Sequence, residues 1–203
     1  MNAFANATFI DECAVVAGKD PVAYRLSLLN SQPRMASVLK QAAEKADWGK
    51  PAAAGRFRGV AHMALMEGYD TYMAQVAEIS MKDGAPVVHK VTVAADLSAM
   101  VNPDTVEAQI QSSTIFGLSG VLWGEITFDK GRPQQSNFDR FRVMRNNESP
   151  QIDIVLVPSR EKPGGIGETA TALVGPAVGN AIFAATGKRI RRMPLTPEYL
   201  AQA

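Results

Sequence analysis

Apolar residues in the first fifty positions recur at helical spacing. In "NATFIDECAVVAG", Phe9, Ile10, Cys13 and Val16 fall on one face and Gly18 stops the run. This pattern predicts a helix with Cys13 in its buried stripe. "KDPVAYRLSLLN" offers Asp20 as N-cap and Pro21 as first helical residue, with Val22, Leu26 and Leu29 on the apolar side. "QPRMASVLKQAAEKADWG" again starts from proline and runs to Gly49. Three short helices in series are therefore expected over residues 1–50.

The period then changes. "KPAAAGRFRG" is rich in Pro, Ala and Gly and breaks the helical spacing, so it marks an internal boundary. Beyond it, "FRGVAHMALM", "YMAQVAEISM" and "VVHKVTVAAD" read as strands, and "KDGAP" between the last two is a hairpin signal. His62 and His89 lie within these runs and read as structural or solvent-facing side chains. "NPDTVEAQIQSSTIFGLSGVLWGE" returns to helix, capped by Asn102 and started by Pro103. Val106, Ile110, Ile115, Leu118 and Leu122 are its apolar positions, and Gly117 and Gly120 call for close packing. "ITFDKGRPQQSNF" reads as a second hairpin turning at "DKG", and "PQIDIVLVPS" alternates as a strand does. A glycine loop, a helix of small apolar residues and a short helix begun by "TPEYL" follow. The fold expected is α+β: N-terminal helices, then a mixed or antiparallel sheet crossed by the "NPDTV" helix and by the helix after the glycine loop. Residues 1–50 form a helical segment and residues 51–203 an α+β segment of one structural unit.

Composition removes several function classes. The chain has 203 residues, room for one large domain or two small ones, and is 46% hydrophobic and 20% charged, as soluble globular proteins are. The net charge is +1, and the basic "GKRIRRM" run reads as the cap of the preceding helix, so no nucleic-acid surface is implied. One cysteine and two histidines do not suffice for a zinc or iron–sulfur ligand set. No stretch of about 20 apolar residues could span a membrane. "MNAFANATFIDECAVVAGKD" lacks the basic start and cleavage site of a signal peptide, and the compartment is left open.

The segment "PGGIGETATALVGPAVGNAIFAATGK" carries the candidate chemistry. Gly164, Gly165 and Gly167 allow positive φ and close approach of another group. Glu168 then stands where a helix should begin. Free amides and the helix dipole favour an ionised carboxylate there, while partial burial opposes it. A carboxylate balanced in this way beside a glycine-lined space suits a general base. The alternative is a first-turn glutamate that only caps the helix. A phosphate loop is disfavoured, because Glu168 would repel the anion and "GGIGET" is not a complete dinucleotide fingerprint.

Four stretches together carry a resemblance: "NAFANATFIDECAVVAGKDPVAYRLSLL", "AAEKADWGKP", "VNPDTVEAQIQSSTIFGLSGVLWGEITFDKGRPQQSNF" and "PGGIGETATALVGPAVGNAIFAATGKRIRRMPL". Over essentially its whole length the chain resembles the C-terminal part of the molybdenum-binding large subunit of the xanthine oxidase/aldehyde oxidase family, in the manner of the isoquinoline 1-oxidoreductase β-subunit. The resemblance implies oxidation of an N-heteroaromatic or aldehyde substrate with oxygen from water. Glu168 matches the family's base beside molybdenum, which a pterin dithiolene holds, with no metal ligand from the protein. Gln109 matches a helix glutamine that hydrogen-bonds the cofactor, an amide suiting a pterin edge. Gln109, Ser112, Ser113, Gly165 and Gly167 are the expected cofactor contacts.

The chain also departs from the family pattern. Gln111, Ser112 and Ser113 stand where Glu-Gly-Gly is usual, Thr169 follows Glu168 in place of proline, and Asp96-Leu97-Ser98 replaces Asp-Cys-Gly. Family subunits are several times longer, so turnover is expected to need the rest of the large subunit as partner. [2Fe-2S] clusters on an iron–sulfur subunit are expected to take the electrons, with a cytochrome c as a candidate acceptor. The rival reading is a non-catalytic fragment or assembly module of such an enzyme.

Overall fold

The computed structural model describes residues 2–65 and 69–202. Met66, the last residue of the first expected strand, lies outside them. Three helices come first: α1 (Asn2–Val16), α2 (Pro21–Ser27) and α3 (Pro33–Lys45). A meander follows: β1 (Phe57–Leu65), β2 (Thr71–Lys82) and β3 (Ala85–Asp96). Then come α4 (Pro103–Trp123), a two-stranded ribbon of β4 (Phe128–Asp129) and β5 (Arg132–Pro133), β6 (Gln151–Leu156), α5 (Thr171–Thr186) and α6 (Pro197–Ala201). The main sheet has the order β1-β2-β3-β6. Its first three strands are antiparallel, and β6 pairs with β3 in parallel, so the sheet is mixed. An α+β fold is what the hydrophobic pattern predicted.

The local signals act where the sequence puts them. Asp20 accepts from the Val22 and Ala23 amides at 3.0 and 2.8 Å and also from the Trp48 indole at 2.7 Å. Asn102 accepts from the Thr105 amide at 3.1 Å. Caps of this kind are each worth about 1 kcal/mol. Asp83-Gly84 and Lys130-Gly131 take positive φ at both hairpin turns, the backbone that two-residue hairpins need.

Helices cover both faces of the sheet. On one face, α3 and α2 bury Val22, Val38, Leu39 and Ala42 against Val60, Tyr72, Val76 and Ala94. On the other, α5 lies across β1 and β2, and Leu173, Val178 and Ile182 pack with Met73, Ile79 and Val91. Helix α5 is apolar all round, as a helix enclosed by protein should be, and its residues 173–182 are all buried. Its small side chains have a specific partner. A Cβ placed on Gly59 would lie 2.1 Å from the Ala181 nitrogen and 2.3 Å from the Ala177 oxygen, so strand β1 rests on the helix backbone. Asn180 ties the two together by donating to the Val60 carbonyl at 3.0 Å. Helix α4 meets the sheet at β6 and shares its core. It lies against α5, with Gly117 meeting the Thr171 oxygen and Val174.

Helix α1 turns its other side inward. Phe9 and Val16, expected in the core, are 65% and 90% exposed, and Cys13 is only half-buried. The buried positions are Ala7, Thr8, Asp11 and Ala14. Electrostatics explains the rotation. Asp11 pairs at 3.2 Å with Arg25, a side chain with no exposure, and at 2.8 Å with Arg189. The basic run near the C-terminus therefore binds α1 instead of capping α5. Arg191 continues it by pairing with Glu12, one bond being 2.8 Å. His62 faces the same region and is mostly buried. Burial, assisted by the nearby Arg25 charge, lowers its pKa from the usual 6.5 to about 4, and its Nδ1 has no hydrogen-bond partner.

Candidate active site

The parallel pairing of β3 and β6 determines where the candidate residues meet. Both strands end at the same edge, and each is followed there by a turn leading toward a long helix, β3 to α4 and β6 to α5. Sites in open α/β sheets form at such carboxyl ends. After β6 the chain stays close to β3, with Val157 donating to the Ala95 carbonyl at 2.8 Å. The glycine loop is then held by two backbone bonds: the Gly164 amide to the Leu97 carbonyl at 2.8 Å, and the Gly165 amide to the Tyr69 carbonyl at 2.7 Å. Thr71 answers by donating its hydroxyl to the Gly165 carbonyl at 2.5 Å.

The glycines act through space and not through φ. None of Gly164, Gly165 and Gly167 has a positive φ. A Cβ on Gly164 would sit 2.4 Å from the Tyr69 carbonyl oxygen, and one on Gly165 would sit 2.6 Å from the Tyr69 ring. Side chains would push the loop off this seat. Gly165 is thus packed behind the loop, while Gly167 faces Gln109, whose Nε2 is 3.9 Å from where a Cβ would be.

Glu168 does not open the helix. Helix α5 begins at Thr171, whose amide donates to the Glu168 carbonyl at 3.0 Å. The Glu168 side chain is exposed, so the partial burial expected of it is not present within this chain. It stands at the rim of a cavity of about 590 Å³ between the first turns of α5 and the middle of α4. Ser112, Ser113 and Gly167 line the same cavity, together with Phe4, Phe116 and Met193. Gln109 adjoins it through Gly167 and is half-buried. Ser112 is exposed at the cavity, but the Ser113 hydroxyl is committed elsewhere. Its hydroxyl donates to the Gln109 carbonyl at 2.6 Å, and its own carbonyl accepts from Thr171 at 3.1 Å. Ser113 therefore clamps α4 to α5.

Phe4, Phe116 and Met193 were not read from the sequence as site residues. Phe116 could have been: Gln109, Ser112, Ser113 and Phe116 share one face at i, i+3, i+4 and i+7. Phe116 is 73% exposed, unusual for an aromatic ring on an otherwise packed helix. Phe4 and Met193 arrive from distant segments, and no local signal points to them.

Among the described residues, no group of three His, Cys, Asp or Glu side chains is placed to hold a metal ion. The polar groups at the cavity are an amide, a hydroxyl and a carboxylate. This donor set fits an organic group with hydrogen-bonding edges that carries its own metal, with the glycine seat leaving room beside Gln109.

Comparison with known proteins gives this geometry a context. The chain is 35% identical over 93% of its length to a membrane-bound aldehyde dehydrogenase [pyrroloquinoline-quinone] of Gluconacetobacter polyoxogenes, covering 27% of that protein. It is 32% identical over 96% of its length to the isoquinoline 1-oxidoreductase subunit beta of Brevundimonas diminuta, covering 25% of it. The chain thus spans about a quarter of the length of these curated relatives. Its fold matches that of an aldehyde oxidoreductase from Desulfovibrio gigas with a TM-score of 0.76 over 99% of this chain and 40% of that one, at 16% identity. Residues 11–150 match the molybdopterin cofactor-binding domain family. With more than half of its residues inside that match, and relatives above 30% identity along nearly all of it, this chain belongs to the molybdopterin cofactor-binding domain family of xanthine oxidase-type molybdenum-binding subunits.

Proposed function

We propose that this chain is the C-terminal catalytic portion of a molybdenum hydroxylase that oxidises an aldehyde or an N-heteroaromatic substrate, with Glu168 as general base. The observation that carries the reading is the meeting of Glu168, Gly167 and Gln109 at one cavity, from segments about sixty residues apart in the chain. The proposed cofactor, a molybdenum–pterin, follows the domain family and not the quinone in the first relative's name. When bound, that cofactor would supply the oxygen transfer and accept the electron pair.

The protein's own part is positioning and proton transfer. Gln109 brings its Nε2 donor to the Gly167 face, and its amide also carries an acceptor, a pairing that suits a pterin edge. Ser112 adds a hydroxyl one turn away. Glu168, at the rim, would take up the proton released as the nucleophile forms, and its exposure here would end when the rest of the large subunit closes the cavity. Phe116, Phe4 and Met193 give the cavity an apolar wall, which would exclude water from that proton once the rest of the large subunit covers it. Iron–sulfur clusters on a partner subunit would receive the electrons, and a cytochrome c is a candidate acceptor beyond them.

The test is Glu168→Gln in the assembled enzyme. Loss of about 10²-fold or more in turnover, with molybdenum and pterin retained, is expected for removal of a general base. Normal turnover in that variant would sink the assignment. A second reading, a non-catalytic assembly module, is favoured by the bare apolar side of α1 at Phe9 and Val16. Molybdenum co-purifying with the assembled chain speaks against it.

A further inference from the structure

Arg34 lies near the start of α3, on the face of the sheet opposite α5. Its guanidinium makes a dense set of contacts. Nε and Nη2 donate to the two oxygens of Asp96, each at 2.8 Å, and Nη2 also donates to the Ser98 hydroxyl at 2.7 Å. Nη1 donates to Asp70 at 3.0 Å, and the planar group lies 4.3 Å above the Tyr72 ring. Asp96 and Ser98 are buried. Ser98 holds φ +71, a conformation that favours glycine, and its amide donates to Asp96 at 2.9 Å. A residue that sits there despite the strain is held by its neighbours.

Arg34 therefore joins two separate turns, one after β3 (Asp96 and Ser98) and one before β2 (Asp70). These turns supply the two carbonyls that seat the glycine loop. Leu97 lies between Asp96 and Ser98 and receives the Gly164 amide, and Tyr69 precedes Asp70 and receives the Gly165 amide. Gly164 fits between them with no space for a methyl group, its Cβ position being 2.4 Å from the Tyr69 oxygen and 2.8 Å from the Asp70 oxygen. The width of this slot depends on the distance between the turns, and the fork of Arg34 spans that distance.

We propose that Arg34 is the positioning residue for Glu168: by clamping the two turns it fixes the slot that seats Gly164–Gly165, and so sets where the loop delivers the carboxylate. Lysine would not substitute, because an ammonium cannot engage Asp96 in bidentate fashion while reaching Ser98 and Asp70. The proposal rests on the reading of Glu168 as base only for its effect on turnover.

The test follows amide exchange residue by residue, by NMR, on the whole 203-residue chain. Arg34→Lys should speed exchange of the Gly164 and Gly165 amides by about tenfold or more relative to the central β2 and β3 amides, the scale expected for losing a charged hydrogen bond. Two milder variants separate the arms. Asp70→Asn should loosen Gly165 more than Gly164, and Ser98→Ala should loosen Gly164 more than Gly165. Equal acceleration across the sheet, or no change at the two glycines, would overturn the proposal, since a purely structural role moves all amides together. In the assembled, molybdenum-loaded enzyme, Arg34→Lys should lower kcat about tenfold with KM and molybdenum content kept. Faster exchange at the glycines with full turnover would overturn the positioning role, whereas the assignment of Glu168 as base fails only if Glu168→Gln turns over normally, so the two ideas fail separately.

Discussion

Removing the titratable group at position 62 should change how this chain responds to acid. His62 is mostly buried with Nδ1 unpartnered, and its pKa falls from 6.5 to about 4 because burial, aided by Arg25, disfavours the charged ring. The folded state thus binds the proton less readily than the unfolded chain. Its neutral form contributes stability that is fully present above about pH 6.5. That contribution is lost as pH falls through the unfolded value, and is gone below about pH 4. The full difference is about 3 kcal/mol, at 1.4 kcal/mol for each pKa unit, and about 2 kcal/mol of it is lost by pH 5. His62→Met removes the titration and the orphaned nitrogen while keeping an apolar side chain of similar size. Urea unfolding of the parent and the variant at pH 7 and pH 5 reads the effect, since other titrating groups are common to both and cancel in the difference. The variant should be near-neutral at pH 7, where only an unpaired polar atom is removed, and should gain about 2 kcal/mol on the parent at pH 5. A difference that does not change between these pH values would refute the reasoning, because His62 would then protonate as easily in the fold as out of it.

Two further outcomes test the framework around the site. Gly59→Ala should destabilise the chain by about 3 kcal/mol, the upper range for overpacking, since its methyl would meet the α5 backbone at 2.1 Å. Denaturation at parental urea concentration would mean that β1 does not rest on α5 in this way. Asp11→Ala should cost about 3 kcal/mol by leaving the buried Arg25 and the partly buried Arg189 without their carboxylate, whereas Glu12→Gln, which breaks the more exposed pair with Arg191, should cost about 1 kcal/mol or less. Similar losses in the two variants, compared by thermal melting, would show that the Asp11 cluster is not the buried tie it is taken to be.

The sequence by itself determined the elements and several of their ends, though not the start of α5, which falls at Thr171 and not at Glu168. Proline after a capping side chain started α2 and α4, Asp-Gly and Lys-Gly closed the hairpins, and Gly117 and Gly120 announced the close packing of α4. These are local effects, decided within a few residues, and a one-dimensional reading captures them. The motif residues Gln109, Gly167 and Glu168 were also legible as candidates. Their meeting was not. It depends on β6 pairing in parallel with β3, which brings the ends of two strands more than fifty residues apart to one edge. Long-range ion pairing likewise decided which side of α1 is buried. Periodicity favoured Phe9 and Val16, but Asp11 has Arg25 and Arg189 to meet, and an unpaired buried charge costs more than an exposed aromatic ring. Arg34 reads as an ordinary surface arginine of α3 until the fold brings Asp70, Asp96 and Ser98 around it. What a residue can do alone is written in its type and neighbours; what it does with residues from other segments exists only once the chain has folded.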